Sequence, residues 1–283
     1  MSTHTSQRAD RPWRVLKAQR ASAGFQFALT EALLSTGLPR TRRPVLRWYI
    51  AKTPTLVLGN GQKLASADIE TCLDAHIPVF KRTSGGTAVL LDSDAVNLEV
   101  ALPAGHALAG TDVVRGYEWV GEIWVDALRQ LGIRGIRTIP VEEVRSLPPL
   151  GSDDPLRLTC YGTLSPFEVV IDQRKVVGLS QVRRRTGTVY QMSTYLTWNP
   201  EKLVALLALD ADDRIALATR LRQVTAGLDE LAGRKVCAAE VMGAVESTLA
   251  HRLGVTLKTG RWTPAERAAA IQIEQQRFQP STQ

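Results

Sequence analysis

Residues 159–181 combine side chains that can do chemistry, with Cys160 in a polar loop and Lys175 at the start of an apolar run. Apolar and polar residues alternate over 167–172, which predicts a half-buried strand. Residues 172–174 have turn composition, so a second strand should open with Lys175. A lysine there can pack its stem and hold its ammonium in a cleft, where a fixed positive charge could stabilise an anionic oxygen.

A second candidate site is the glycine loop, residues 81–89. Small residues at 84–87 let backbone N–H groups approach an anion, and Lys81 and Arg82 could neutralise a phosphate. The pattern predicts a strand, a glycine turn and a returning strand. It matches neither GxxxxGK[ST] nor GxGxxG.

Composition narrows the class of protein. Of the 283 residues, 44% are apolar and 22% charged, as in ordinary globular proteins. The three cysteines are far apart and the four histidines form no HxH or HExxH pattern, so we expect a reducing compartment and no metal centre. Residues 1–10 are predicted to be a flexible tail without an apolar leader segment, and no apolar run approaches the roughly 20 residues of a membrane span. We expect a cytoplasmic protein with no membrane partner.

The net charge of +7, from 35 basic and 28 acidic residues, favours acidic partners. No zinc finger, helix-turn-helix or RNP-like string accompanies this charge, so a nucleic-acid partner is not expected. The arginine run 183–185 is predicted to be a solvated hairpin tip, with the docking of an acidic partner as its alternative use.

The pattern of the whole chain predicts one mixed α/β (α+β) domain over 1–283, with mostly antiparallel or mixed sheets packed against helices. A strand is expected over 97–102 and a long helix capped by Thr111. The part 201–283 is predicted to be helical, with helices over 212–228 and 238–253 and a last helix opened by a capping box at 263–266.

Placed in order, four segments resemble motifs of the lipoate-protein ligase and octanoyltransferase family, which shares its catalytic fold with biotin-protein ligases. Residues 81–89 resemble its RRxSGGGAV loop, and 174–181 resemble its GRKxxGxxQ strand. Residues 56–59 with Gln62, and residues 260–266, resemble two further family segments. The resemblance runs from about Trp13 to the last helix.

The resemblance implies a lipoate-protein ligase-like enzyme that attaches a lipoyl or octanoyl group to a protein lysine through an acyl-adenylate. It implies ATP as cosubstrate with Mg²⁺ as counter-ion, and no metal site built from protein ligands. Lys175 would bind the acyl carboxyl oxygen. The implied nucleotide-binding residues are Arg82, Ser84, Gly85, Gly86, Thr87, Ala88 and Asn97. The implied substrate-binding residues are Gly59, Gln62, Gly178, Gln181 and Met192.

A second branch of the family, the cysteine-dependent octanoyltransferases, carries a CFxxPSxYE string ahead of GRK. Cys160, Tyr161 and Glu168 keep that spacing to Lys175. In that branch a thiolate takes octanoyl from acyl carrier protein without ATP, and passes it to a lysine.

The sequence departs from the family where Leu91 and Met192 stand in place of two common histidines, and where Thr87 replaces a third glycine. A diverged, non-catalytic binder of acyl-AMP or of lipoyl domains therefore stays an alternative. The ligase is favoured slightly, since Ser84 and Asn97 resemble its version of the loop and the following strand. The implied partners are the lipoyl domain of a 2-oxoacid dehydrogenase or a glycine cleavage H protein, acyl carrier protein in the transferase branch, and lipoate or octanoate.

Overall fold

A mixed eight-stranded sheet carries the architecture of the protein, seen in a computed structural model that describes residues 11–281. The tail predicted over 1–10 lies outside the described residues. The strand order is β11-β1-β2-β6-β10-β9-β8-β7, and a second sheet has the order β4-β3-β5. The strands are β1 Trp13–Ala21, β2 Val45–Ala51, β3 Thr55–Leu58, β4 Val79–Lys81, β5 Val89–Leu91, β6 Ala95–Pro103, β7 Arg137–Thr138, β8 Val169–Ile171, β9 Arg174–Arg184, β10 Gly187–Tyr195 and β11 Leu257–Gly260.

Helices cover both faces of the large sheet, as its unbroken buried strands require. On β2, Trp48 packs against Trp124 of the helix on one face, while Arg47 points to the helix on the other. The helices are α1 Ala23–Ala32, α2 Leu38–Thr41, α3 Ile69–Asp74, α4 Glu118–Gln130, α5 Val141–Ser146, α6 Pro200–Val204, α7 Ala211–Val224, α8 Leu228–Ala232, α9 Ala238–Leu253 and α10 Pro264–Arg277. In residues 11–281, none of them is long and apolar enough to cross a bilayer.

The hairpin that presents Lys175 is confirmed. Its turn places Asp172 and Gln173 at φ 46° and 64°, the left-handed conformation that a tight hairpin turn requires at both central positions. Strands β8 and β9 pair in antiparallel fashion on either side of this turn. The turn therefore determines which residues of β9 lie opposite those of β8.

The glycine loop is not the hairpin turn that the sequence predicted. Strand β3 lies between β4 and β5, parallel to β4 and antiparallel to β5. Residues 82–88 therefore cross from one side of β3 to the other. Periodicity alone cannot show that a third strand inserts between two neighbours in sequence.

Two other predictions need correction. The helix expected from Thr111 begins at Glu118, because Asp112 accepts the N–H groups of Val114 and Arg115 and residues 115–117 form a 3₁₀ turn first. The part 201–283 is not wholly helical, since β11 pairs in parallel with β1. The predicted helix 212–228 ends at Val224, whereas the predicted limits 238–253 are confirmed in α9.

Helix α10 is locked to β1 by the buried carboxylate of Glu266. It closes the predicted capping box by accepting the Thr263 N–H at 2.8 Å, and it receives both Arg14 guanidinium nitrogens at 3.0 and 2.5 Å. Burial opposes ionisation of this carboxyl, but the bonds from Arg14 and the Thr263 N–H outweigh it and hold the pKa of Glu266 below its ordinary value.

We predict that Glu266→Gln lowers the free energy of unfolding at neutral pH by about 3 kcal/mol, since it leaves Arg14 without its counter-charge. Because the folded pKa of Glu266 is depressed, its contribution is present above the unfolded pKa and is lost as the pH falls through the folded pKa. Urea unfolding at several pH values should therefore show the variant and the parent protein converging in acid. A gap that is constant at all pH values would contradict this prediction.

Candidate active site

Cys160 is held at the junction of the two sheets. Its backbone N–H donates to the Ala88 carbonyl oxygen at 2.8 Å, which ties the cysteine loop to the start of β5. Its half-buried Sγ lies 3.7 Å from Nη2 of Arg82. The thiol is therefore partly accessible and lies beside a fixed positive charge, which is the environment of reactive cysteines.

Lys175 lies behind Cys160 and is 1% exposed. Its Nζ donates to the Cys160 carbonyl oxygen at 2.8 Å and lies 2.7 Å from Oε2 of Glu168. The sequence predicted an ammonium held in a cleft, whereas the structure buries it against Glu168 and the Cys160 carbonyl. The predicted contact with an acyl oxygen stays a prediction.

Glu168 is the residue of this site that the strand pattern misplaced. The predicted half-buried strand 167–172 places this polar residue among those that alternate with the apolar ones, yet Glu168 precedes β8 and is 2% exposed. It accepts the Ser165 N–H at 2.7 Å and the Leu179 N–H at 3.2 Å. Burial raises the pKa of this carboxyl, and the Lys175 ammonium and the two N–H donors oppose the rise. The only signal in the sequence was its match to the last position of the CFxxPSxYE string.

A cavity opens next to Cys160 between α1 and strands β2, β6, β9 and β10. Its wall is mainly apolar and aromatic, with a few polar groups. The lining residues are Phe27, Tyr49, Val57, Arg82, Val89, Leu91, Asn97, Cys160, Tyr161, Gly178, Leu179, Ser180, Gln191, Met192 and Ser193. Such a cavity suits a linear acyl chain whose activated carbonyl lies near the cysteine.

The phenols in this wall stay neutral. Burial raises the pKa of both Tyr161 and Tyr49 well above the ordinary value for tyrosine. Tyr161 donates its hydroxyl proton to the Ser193 carbonyl oxygen at 2.6 Å, and its ring lies 5.7 Å from the Lys175 ammonium. Tyr161 thus packs between the ion pair and the cavity as a rigid wall.

A buried polar network supports the opposite wall. Arg47 donates to Glu99 at 2.6 Å, and Gln191, which lines the cavity, donates to the same carboxylate at 2.9 Å. Both Arg47 and Glu99 are at most 2% exposed. The network holds the Gln191 amide in one orientation, so the polar part of the lining is preorganised.

The glycine loop touches the site through backbone contacts. Gly86 has φ 93° and lies against both Arg82 and the Cys160 sulfur, so a side chain here would be strained and would crowd them. A Cβ on Gly59 would overlap the Gly86 carbonyl oxygen. Arg82 also donates to the Thr87 carbonyl oxygen at 3.2 Å. Space beside Gly85 is open, while Ser84 is buried.

Five of the predicted site residues line the cavity: Arg82, Asn97, Cys160, Gly178 and Met192. Gln62 and Gln181 do not, since their amides donate to the carbonyl oxygens of Leu158 and Val113. Their predicted contacts with substrate stay predictions, as do the roles of residues 84–88 with a nucleotide. Among residues 11–281, no group of three or more His, Cys, Asp or Glu side chains could hold a metal ion.

Comparison with known proteins gives a consistent result. The model of the lipoyl protein ligase A/B catalytic domain matches residues 22–250. Octanoyltransferase LipM of Kyrpidia tusciae is 31% identical over 263 residues, which cover 92% of this chain and 94% of that protein. Octanoyltransferase LipM of Moorella thermoacetica is 27% identical, with 90% and 91% covered.

Solved structures agree in fold. A bipartite lipoate protein ligase from Thermoplasma acidophilum, described with its E2 lipoyl domain, has a TM-score of 0.75 at 19% identity, covering 94% of this chain and 93% of that one. Lipoate-protein ligase A bound with ATP has a TM-score of 0.73 at 17% identity, covering 95% and 96%. At these identities the likeness concerns the fold.

We predict that Glu168→Gln destabilises the protein by about 3 to 5 kcal/mol, because it leaves the Lys175 ammonium buried without a counter-charge. Adding Lys175→Met removes that charge, so the double variant should recover much of the lost stability although both polar partners are gone. Denaturant unfolding of the parent, the two single variants and the double variant measures the coupling. Strictly additive losses would show that the pair is not coupled.

Proposed function

The chain belongs to the lipoyl protein ligase A/B catalytic-domain family, whose enzymes acylate protein lysines, and from this premise we propose that it transfers an octanoyl group through a thioester on Cys160. The sequence alone favoured the ATP-dependent branch. The position of Cys160 favours the octanoyltransferase branch instead. Its sulfur lines the proposed acyl cavity and lies 3.7 Å from the Arg82 guanidinium. The relatives named octanoyltransferase support the same branch.

The first half-reaction moves the acyl group from a donor thioester to the enzyme. The Cys160 thiolate attacks the acyl carbonyl carbon, a carbon–sulfur bond to Cys160 forms, and the bond to the donor sulfur breaks. The donor leaves as a thiolate and takes up the proton that Cys160 gave up. The Arg82 guanidinium can stabilise negative charge on sulfur at both ends of this step.

The second half-reaction moves the acyl group to the acceptor. A neutral lysine amine attacks the thioester carbonyl, the amide C–N bond forms, and the bond to Cys160 breaks. The proton lost by the amine returns to the sulfur, so the enzyme is regenerated without a cosubstrate. We propose that Lys175, held by Glu168, fixes the Cys160 backbone in both steps.

The proposed partners follow from this chemistry. The donor is an octanoyl-acyl carrier protein, and the acceptor is a lipoyl domain or H protein, like the E2 lipoyl domain that accompanies the Thermoplasma ligase. A cytoplasmic location suits the three free cysteines.

ATP-dependent ligation is the second candidate. It is favoured by the open space beside Gly85 and by Arg82 next to the glycine loop, where an adenylate phosphate could lie. In that route the acid is activated as acyl-AMP, with Mg²⁺ accompanying ATP, and Cys160 is not needed as a nucleophile.

We predict that Cys160→Ser abolishes transfer from octanoyl carrier protein to a lipoyl domain. The parent protein, mixed with the donor alone, should gain one octanoyl mass that disappears when the acceptor is added. Cys237→Ser, which changes an exposed cysteine, is the matched control and should keep full activity. Intact-mass spectrometry follows both steps.

The same assay with octanoate, ATP and Mg²⁺ tests the second candidate. Acylation of the lipoyl domain with release of pyrophosphate, retained in Cys160→Ser and lost in Gly86→Val, would overturn the thioester route. We expect no acylation under these conditions.

A further inference from the structure

Two surface grooves meet along the outer edge of the large sheet. One, of about 420 Å³, lies between the start of β1 and β11, and the other, of about 950 Å³, runs between β1 and the connection from β11 to α10. They share Thr259 and Gly260. Six exposed cations line them, and together they are called the basic edge: Arg11, Lys17, Arg20, Lys258, Arg261 and Arg267.

The charge of the basic edge is not neutralised by the part of the chain that the structure describes. Within residues 11–281, none of its six cations lies within 4.0 Å of a carboxylate oxygen, and no carboxylate lines either groove. The nearby Glu266 is buried and bound to Arg14. Some exposed arginines elsewhere are paired, as Arg252 is with Glu122. Six like charges on one edge repel one another, and an anionic partner would relieve that repulsion.

The larger groove also contains an aromatic residue of the kind that anchors protein interfaces. Trp262 lines it and is half-buried. The Arg47 guanidinium lies 5.8 Å from the Trp262 ring and 4.7 Å from the ring of Tyr49, which lines the acyl cavity. The Arg47 side chain therefore lies between a residue that lines the groove and a residue that lines the cavity.

We propose that the basic edge docks the acidic carrier domain that delivers the acyl group, an inference that rests on the proposed function. An acceptor lysine reaches only one side-chain length, so its domain must lie directly at Cys160. A donor that carries its thioester on a long flexible arm can dock farther away. A basic groove beside the cavity fits this second geometry, and electrostatic attraction would raise the encounter rate.

The test compares two variants of equal net charge. Arg261→Glu/Arg267→Glu reverses the basic edge, and Arg134→Glu/Arg145→Glu reverses two exposed arginines outside it. With octanoyl carrier protein as donor, we expect the first variant to raise KM roughly tenfold with kcat nearly unchanged, and to lose most of the salt dependence of kcat/KM. The control variant should keep the KM of the parent protein.

A small octanoyl thioester without a carrier distinguishes a failure of docking at the basic edge from a failure of the thioester route on Cys160. Equal turnover of this small donor by the parent and by both double variants, with the KM effect confined to the carrier, supports docking at the basic edge. An unchanged carrier KM in the edge variant overturns the docking proposal while leaving the thioester route intact.

If the parent protein forms no Cys160 thioester from either donor, the proposed function itself fails. If the edge variant loses affinity for a DNA duplex but not for the carrier, the surface is a nucleic-acid site and the proposal is wrong.

Discussion

Burying the Lys175 ammonium is the constraint on which the arrangement of the site depends. A charge that is 1% exposed must be compensated by an opposite charge and by hydrogen bonds. Glu168 supplies the charge, and the Cys160 carbonyl accepts one of the ammonium protons. Two backbone N–H groups in turn fix the carboxylate. The same interactions that satisfy the ammonium thus position the cysteine.

The second sheet brings the other half of the site to the first. Because β3 inserts between β4 and β5, the connection between them must pass over the end of β3, where Gly59 and Gly86 meet backbone to backbone. That close contact needs glycine at Gly59 for space and at Gly86 for its positive φ. It leaves Arg82 next to the Cys160 sulfur. Gly59 and Gly86 therefore have a structural function whether or not a phosphate binds at the glycine loop.

The cavity wall combines apolar packing with a few fixed polar groups. The Arg47–Glu99 pair costs desolvation, and it is retained in a network that also orients Gln191. The rigid neutral phenols of Tyr49 and Tyr161 also line the wall. Leu91 and Met192, which stand in place of two common histidines of the family, both line this cavity, so the departures make its wall more apolar.

The sequence by itself determined many of the local elements and the order of the motifs, and it singled out Cys160, Lys175 and Arg82, which the fold brings together. Turn chemistry at Asp172 and Gln173, the capping box at Thr263 and the limits of α9 depend on neighbours in the chain, so they could be predicted. Only the tertiary structure decided that β11 joins β1, that β3 separates β4 from β5, and that Glu168 turns inward to Lys175. The strand pairings depend on partners distant in sequence, and the orientation of Glu168 depends on burial that overrides the local alternation. A short window of residues contains neither the distant partner nor the burial.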